Sequence, residues 1–311
     1  MHDYDYRYLR IKHDFDEMQM EKVCRMSDFL EDVSIIPFLT DRLSLYGGTA
    51  LTFIHFKGFE RLSVDIDFNY RHKKEEQDWG EIRNQIDEDI KQILRSEGYK
   101  DSDIKIEATY PLGRFTVEYT SHLGSPDNFK IEIGYMRRIP ILKADKLYNF
   151  HHIGTDSNFR IPSPLKEELF SNKWCTMLYR RSSRDLFDVY KISQEEFDLE
   201  LFTMTAVIDS LLRGPPKLTE ISVQKTIKDI HVDSYLRNVL KKTSSYDFNK
   251  IKKIAQDFSQ DIMINLTDKE TKTLDTFYNE HRLNTALLDE SKLLHEELAH
   301  HPMILRVLQQ L

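Results

Sequence analysis

The sequence predicts an α+β fold, a mixed sheet with packed helices in the N-terminal half followed by an all-helical C-terminal half. Three observations predict it. The run VDIDFNY from Val64 to Tyr70 alternates apolar and polar residues, which is strand periodicity. Residues 15 to 33 and 75 to 97 instead repeat their apolar residues at helical spacing. Beyond Pro162 and Pro164 helical patterns dominate to the end. The expected division is 1–162 for the α+β part and 163–311 for the helical part.

The elements follow in order. Met18, Val23, Met26, Phe29 and Leu30 mark the first helix. Leu43–Tyr46 is a short apolar strand, broken by Gly47–Gly48, and Thr49–Phe56 reads as the helix that follows. After the Val64–Tyr70 strand, Ile82, Ile86, Ile90, Ile93 and Leu94 form one stripe on the Glu75–Glu97 helix. Ile104–Thr109, Arg114–Thr120 and Phe129–Gly134 are strand candidates whose short turns suggest an antiparallel meander. Ser163–Pro164 reads as a helix start, with Ser as cap and Pro in the first turn. Gly214–Pro215–Pro216 interrupts the helical half.

Composition narrows the classes. The chain has 311 residues, 40% hydrophobic and 31% charged, a globular balance. A net charge of −8 excludes a generally basic surface, so any nucleic acid must be held by a local patch. The candidates are Met136–Arg138, the Arg180, Arg181 and Arg184 group, and the lysines from Lys241 to Lys253. Two distant cysteines, Cys24 and Cys175, exclude a disulfide scaffold and a cysteine zinc site. The charged opening MHDYDYRYLR is not a signal peptide, and no apolar run approaches the ~20 residues needed to cross a bilayer. No membrane association is expected, and the expected location is the cytoplasm.

Tyr46–Tyr70 carries the most chemistry. Gly47–Gly48 lies where a strand hands over to a helix, so backbone can approach a ligand closely. The N–H groups and positive dipole end of that helix suit phosphate, and Thr49 offers a hydroxyl. Asp65 and Asp67 alternate with Val64, Ile66 and Phe68, which places both carboxylates on one strand face, ~7 Å apart along the chain. Such a pair suits two Mg²⁺ (or Mn²⁺) ions ~3.5–4 Å apart, as phosphoryl transfer requires. A third carboxylate would complete the cage. Glu132, between Ile131 and Ile133, is the first candidate and Glu118 in FTVEYT competes.

Histidine pairs point elsewhere. HEELAH, His295–His300, lacks the i, i+4 spacing of a zincin helix, because five residues turn a helix by ~500°. It reads as a surface helix. His151–His152 reads as a loop pair rather than a metal site.

The run GGTAL (Gly47, Gly48, Thr49, Ala50, Leu51) followed by R-x-S-x-D-I-D-F (Arg61, Ser63, Asp65, Asp67, Phe68) resembles the AbiEii/AbiGii-type toxins. These form a branch of the DNA-polymerase-β-like nucleotidyltransferase superfamily. Their pattern continues with a helical lysine, here Lys173, and an R-D-L-[YF]-D run, here Arg184–Asp188. The resemblance spans roughly Leu43 to Ile192. It implies a nucleotidyltransferase fold and transfer of a nucleoside monophosphate from an NTP, with pyrophosphate released. It also implies a tRNA acceptor and a separately encoded antitoxin. Metal binding then falls to Asp65 and Asp67, and triphosphate contact to Gly47, Gly48, Thr49 and Ser63. Lys173 takes a phosphate-charge role, Asp185 an acid/base or positioning role. Arg61 is open between phosphate binding and pairing with an aspartate. The helical half is expected to bring Lys173 and Asp185 to the active-site cleft.

Overall fold

The computed structural model describes residues 2–72, 79–107, 111–143, 145–288 and 292–311. The chain divides into two compact units. The first comprises Met1–Arg138, Lys146–Ser163 and Asn238–Ser244, and the second Ile139–Asp145, Pro164–Arg237 and Ser245–Leu311.

In the first unit, α1 (Tyr6–His13) and α2 (Glu17–Ser34) are capped by Asp5 and Asp16, whose carboxylates accept the free N–H groups of the first turn. Next come α3 (Pro37–Thr40), β1 (Leu43–Tyr46) and α4 (Gly47–Ala50), which continues as a π-helical turn over Leu51–His55. β2 (Asp65–Tyr70) and α5 (Trp79–Ser96) precede β3 (Ile104–Glu107), β4 (Leu112–Thr120) and β5 (Pro126–Gly134). The first residues of the expected Glu75–Glu97 helix, and Ala108–Thr109 of the expected third strand, lie outside the described residues.

The sheet order is β1-β2-β5-β4-β3. β2 and β5 run parallel, and the other neighbours run antiparallel, so the sheet is mixed and contains the expected meander. Alternation decides its buried face. Ile66, Phe68, Phe115, Val117, Phe129, Ile131 and Ile133 are all buried, alternating with more exposed polar residues. Buried residues of α2 (Val23, Phe29, Leu30) and α5 (Ile86, Ile90, Leu94) add to this core. Each such side chain contributes ~1.5–3 kcal/mol by leaving water.

β6 (Lys146–His152) and β7 (Ser157–Ser163) form a separate antiparallel hairpin where no strand was expected. Its inward positions include His152 and Ser163, both fully buried, and these polar residues mask the alternation. His151–His152 therefore closes a strand instead of lying in a loop. Ser163 ends β7 and donates its hydroxyl to the Leu45 carbonyl at 2.9 Å, so it does not cap a helix.

The second unit is helical: α6 (Lys166–Arg180), α7 (Ser183–Ile192), α8 (Leu199–Arg213), α9 (Val223–Lys228), α10 (Ser234–Val239), α11 (Phe248–Ile264), α12 (Asp268–Glu280) and α13 (Pro302–Leu308). The end of α10 passes into the first unit. α8 is buried on every side from Phe202 to Leu212, as befits a central helix, with α6, α12 and α13 against it. It stops at Gly214, ahead of Pro215–Pro216, as expected. The HEELAH segment is not the expected surface helix. It holds turns and one 3-10 turn at Leu298–His300, and His301 is buried as the cap of α13.

Candidate active site

Strand register builds the centre of the site. Tyr46, the last residue of β1, pairs with Asp67, so the chain leaves the sheet beside that aspartate. Gly47 makes the departure with φ +70°, a conformation that side chains with a Cβ disfavour. A Cβ built on Gly47 would lie 2.1 Å from Asp67 Oδ2. The Asp67 carboxylate therefore rests on bare glycine backbone. One residue on, a Cβ on Gly48 would lie 2.8 Å from both Arg61 Nη2 and Ser63 Oγ. A guanidinium, a hydroxyl and a carboxylate thus converge on the two glycines.

The supporting contacts explain the convergence. Arg61 is buried, donates from Nη1 to the Leu62 carbonyl at 2.8 Å and bridges to Leu240. The Leu62 amide donates to the Val239 carbonyl at 2.8 Å. The returning 238–244 segment therefore fixes the approach to β2. Thr49 departs from expectation. It is buried, and its hydroxyl donates to the Asp65 carbonyl. That bond takes up the hydroxyl proton and ties α4 to β2.

Asp65 and Asp67 lie on the face opposite buried Ile66 and Phe68. Across the parallel pairing, Asp67 stands opposite Glu132 and Asp65 opposite Lys130. Glu132 thus shares the aspartates' face and level. Its Oε1 accepts from Arg114 Nε at 2.7 Å, a partner the sequence reading missed. The signal was present: a short turn between β4 and β5 fixes a register that sets Arg114 against Glu132. Glu118 stands opposite Asn128, four residues further along β5, ~13 Å away at strand spacing, and pairs with Lys105. Geometry favours Glu132 over Glu118 as a neighbour of the pair. Among the described residues, only His2, Asp28 and Glu31 bring ligand atoms within 4.8 Å of one another, so the three sheet carboxylates are not drawn together.

Lys173 and Asp185 occupy the second unit. Lys173 shares its α6 face with buried Phe170 and Met177 and is itself buried. Nζ lies 3.0 Å from Asp185 Oδ1 and 3.2 Å from Asp188 Oδ2, both carboxylates fully buried. Arg180 closes Asp185 from the other side with two bonds of 2.9 Å. Burial alone would raise the Asp185 pKa, but Lys173 and Arg180 outweigh it and hold the carboxyl below its ordinary value. Asp188 thus shares the Lys173 ammonium with Asp185.

A known nucleotidyltransferase toxin shares this fold. MenT4, a nucleotidyltransferase toxin from Mycobacterium tuberculosis, superposes with a TM-score of 0.61 at 16% identity, over 99% of each chain. That likeness shows the fold. The CdnC:HORMA-deltaN complex from E. coli matches with a TM-score of 0.27 at 12% identity, over 92% of this chain and 94% of that one. Cyclic AMP-GMP synthase DncV from Vibrio cholerae matches with a TM-score of 0.24 at 10% identity, over 90% of each. No curated protein matches the sequence. The family described as "Nucleotidyl transferase AbiEii toxin, Type IV TA system" matches residues 28–281, and the chain belongs to it. It is a nucleotidyltransferase toxin of the type IV toxin–antitoxin class. Among the described residues, no helix is long and apolar enough to cross a membrane.

Proposed function

We propose that this toxin transfers a nucleoside monophosphate from an NTP to the 3′ end of tRNA, releasing pyrophosphate, with Asp65 and Asp67 at its centre. The observation that carries the reading is the Asp67 carboxylate seated on Gly47, with Arg61 and Ser63 over Gly48. A phosphate chain needs close backbone approach and cationic or hydroxyl donors, and this arrangement supplies both. Arg61 then binds phosphate and Ser63 donates a hydrogen bond.

The carboxylates of Asp65, Asp67 and Glu132 present only hard oxygen donors on one sheet face, a set that fits Mg²⁺ or Mn²⁺. We assign them two ions. When bound, the ions offset charge on the phosphoryl oxygens and make the acceptor hydroxyl more acidic. Glu132, which now accepts from Arg114, would be the third holder, and the β1–β2–β5 register sets the two aspartates on the same face.

Lys173 is assigned a phosphate-charge role from its place in the family motif. Asp185 is assigned positioning instead of proton transfer, because a carboxylate held below its ordinary pKa is a weak base at neutral pH. It steadies the Lys173 ammonium. A separately encoded antitoxin, action in the cytoplasm and a role in phage defence complete the reading.

The test is incubation of the purified protein with total tRNA, Mg²⁺ and each α-³²P-labelled NTP in turn. Label should enter tRNA with one preferred nucleotide and vanish in Asp65→Ala/Asp67→Ala. Label on protein or on a small molecule, with none on RNA, would overturn the tRNA assignment.

A further inference from the structure

A second polar cluster lies away from the β2 aspartates, where α2 meets the N-terminal segment and the end of β6. Its anchor is Asp28 of α2, 4% exposed. One oxygen is fully engaged. Oδ1 accepts the Tyr4 hydroxyl at 2.6 Å and lies 3.1 Å from His152 Nε2. His152 is fully buried, and its Nδ1 accepts the Gly154 amide at 3.2 Å, which leaves the ring proton on Nε2 to be donated to Asp28. The other oxygen, Oδ2, is buried without a hydrogen-bond partner. An orphaned carboxylate oxygen in the interior is costly, and a cation is a common resolution.

Two further donors lie near the same carboxylate. His2 Nε2 lies 3.8 Å from Asp28 Oδ1 and 3.5 Å from Glu31 Oε2. Glu31 stands three residues from Asp28, on the same face of α2. One ligand atom from each of the three residues falls within 4.8 Å of the others. Ligands at ~2.0–2.1 Å from a tetrahedral zinc ion stand about 3.3 Å apart, so a contraction of a few tenths of an ångström to about 1.5 Å closes the set.

We propose that His2, Asp28 and Glu31 form a divalent-cation site of the zinc type, separate from the site of nucleotidyl transfer. One imidazole and two carboxylates match the mixed nitrogen and oxygen set of such ions, with water as the fourth ligand. Tyr4 and His152 hold the Asp28 carboxylate by hydrogen bonds, the supporting shell that ligating carboxylates require. The bound ion fastens the residues before α1 to α2.

The test uses untagged full-length protein carrying Asp65→Ala/Asp67→Ala, so that the sheet carboxylates do not compete for metal. Zn²⁺ alone is titrated by equilibrium dialysis, with X-ray absorption at the zinc edge. One ion should bind, with one imidazole nitrogen in its shell. His2→Ala, which alters a half-exposed side chain, and Glu31→Gln should each weaken binding at least tenfold and abolish the rise in Tm on zinc addition. No uptake, or equal uptake in the parent and both variants, overturns the site. A shell lacking imidazole does the same.

Discussion

Replacing Gly47 with alanine separates the geometry of the glycine turn from its chemistry. The new Cβ would stand 2.1 Å from Asp67 Oδ2. Ordinary van der Waals contact begins near 3.4 Å, so the carboxylate must withdraw by about 1.3 Å. It cannot do so by a terminal rotation alone, because Asp67 Cγ and Cβ would also lie 3.0 and 3.1 Å from the added atom. The backbone adds a second cost: at φ +70° a Cβ destabilises the fold by ~1–2 kcal/mol. Misplacing a reacting group by ~1 Å lowers rate on the order of a hundredfold. Gly47→Ala should therefore lose about two orders of magnitude in pyrophosphate release while Tm falls by only a few degrees. Gly48→Ala meets the flexible ends of Arg61 and Ser63, and should lose about tenfold less than Gly47→Ala. Continuous pyrophosphate detection at saturating NTP, beside thermal unfolding, reads both effects. Transfer by Gly47→Ala within twofold of the parent would refute the seating of Asp67 on that glycine as a catalytic requirement.

Other expected outcomes are as direct. Glu132→Gln should suppress transfer and raise the Mg²⁺ concentration needed for it, whereas Glu118→Gln, out beside Lys105, should leave both unchanged. Reversed effects in a Mg²⁺ titration would exchange the two assignments. Lys173→Met leaves two buried carboxylates with one fewer cation and should cost ~3–5 kcal/mol in urea unfolding; a loss below about 1 kcal/mol would show that the pair is relaxed by water. Asp185 is held low, so its contribution to stability is present above its ordinary pKa and lost as pH falls through the folded value. Asp185→Asn should flatten that acid limb. Glu97 behaves oppositely. Burial first, then Asp28 and Asp32, push its carboxyl up to about 9. The unfolded chain releases that proton near 4.5 while the folded chain keeps it, so stability falls as pH rises between those values, by up to ~1.4 kcal/mol per pH unit. Glu97→Gln should remove the slope, and parallel stability curves for variant and parent would contradict it.

Local periodicity made much of the first unit legible. β1 matches its apolar run, and VDIDFNY alternates as its strand does, because one face of β2 is buried and the other is not. The glycine pair was legible for the same reason, a break at the end of an apolar strand. The β6–β7 hairpin was hidden because its inward residues include His152 and Ser163, whose burial depends on partners over a hundred residues away. Thr49 shows another limit: which oxygen receives a hydroxyl proton follows from tertiary position, not sequence order. Lys173 was visible as a motif residue, but its two-carboxylate setting needed α6 and α7 to be packed first.

The 238–244 segment has a consequence for how such a chain can be cut and recombined. It lies more than seventy residues beyond β7, yet its backbone receives the Leu62 amide and bridges Arg61. A gene fragment ending at residue 163 would encode the whole five-stranded sheet and still lack the piece that braces Arg61 and Leu62 ahead of β2. Exchange of helical halves between relatives by a single crossover would bring in a foreign version of that piece. Viable chimaeras should therefore be those in which residues 238–244 are inherited together with Arg61 and Leu62.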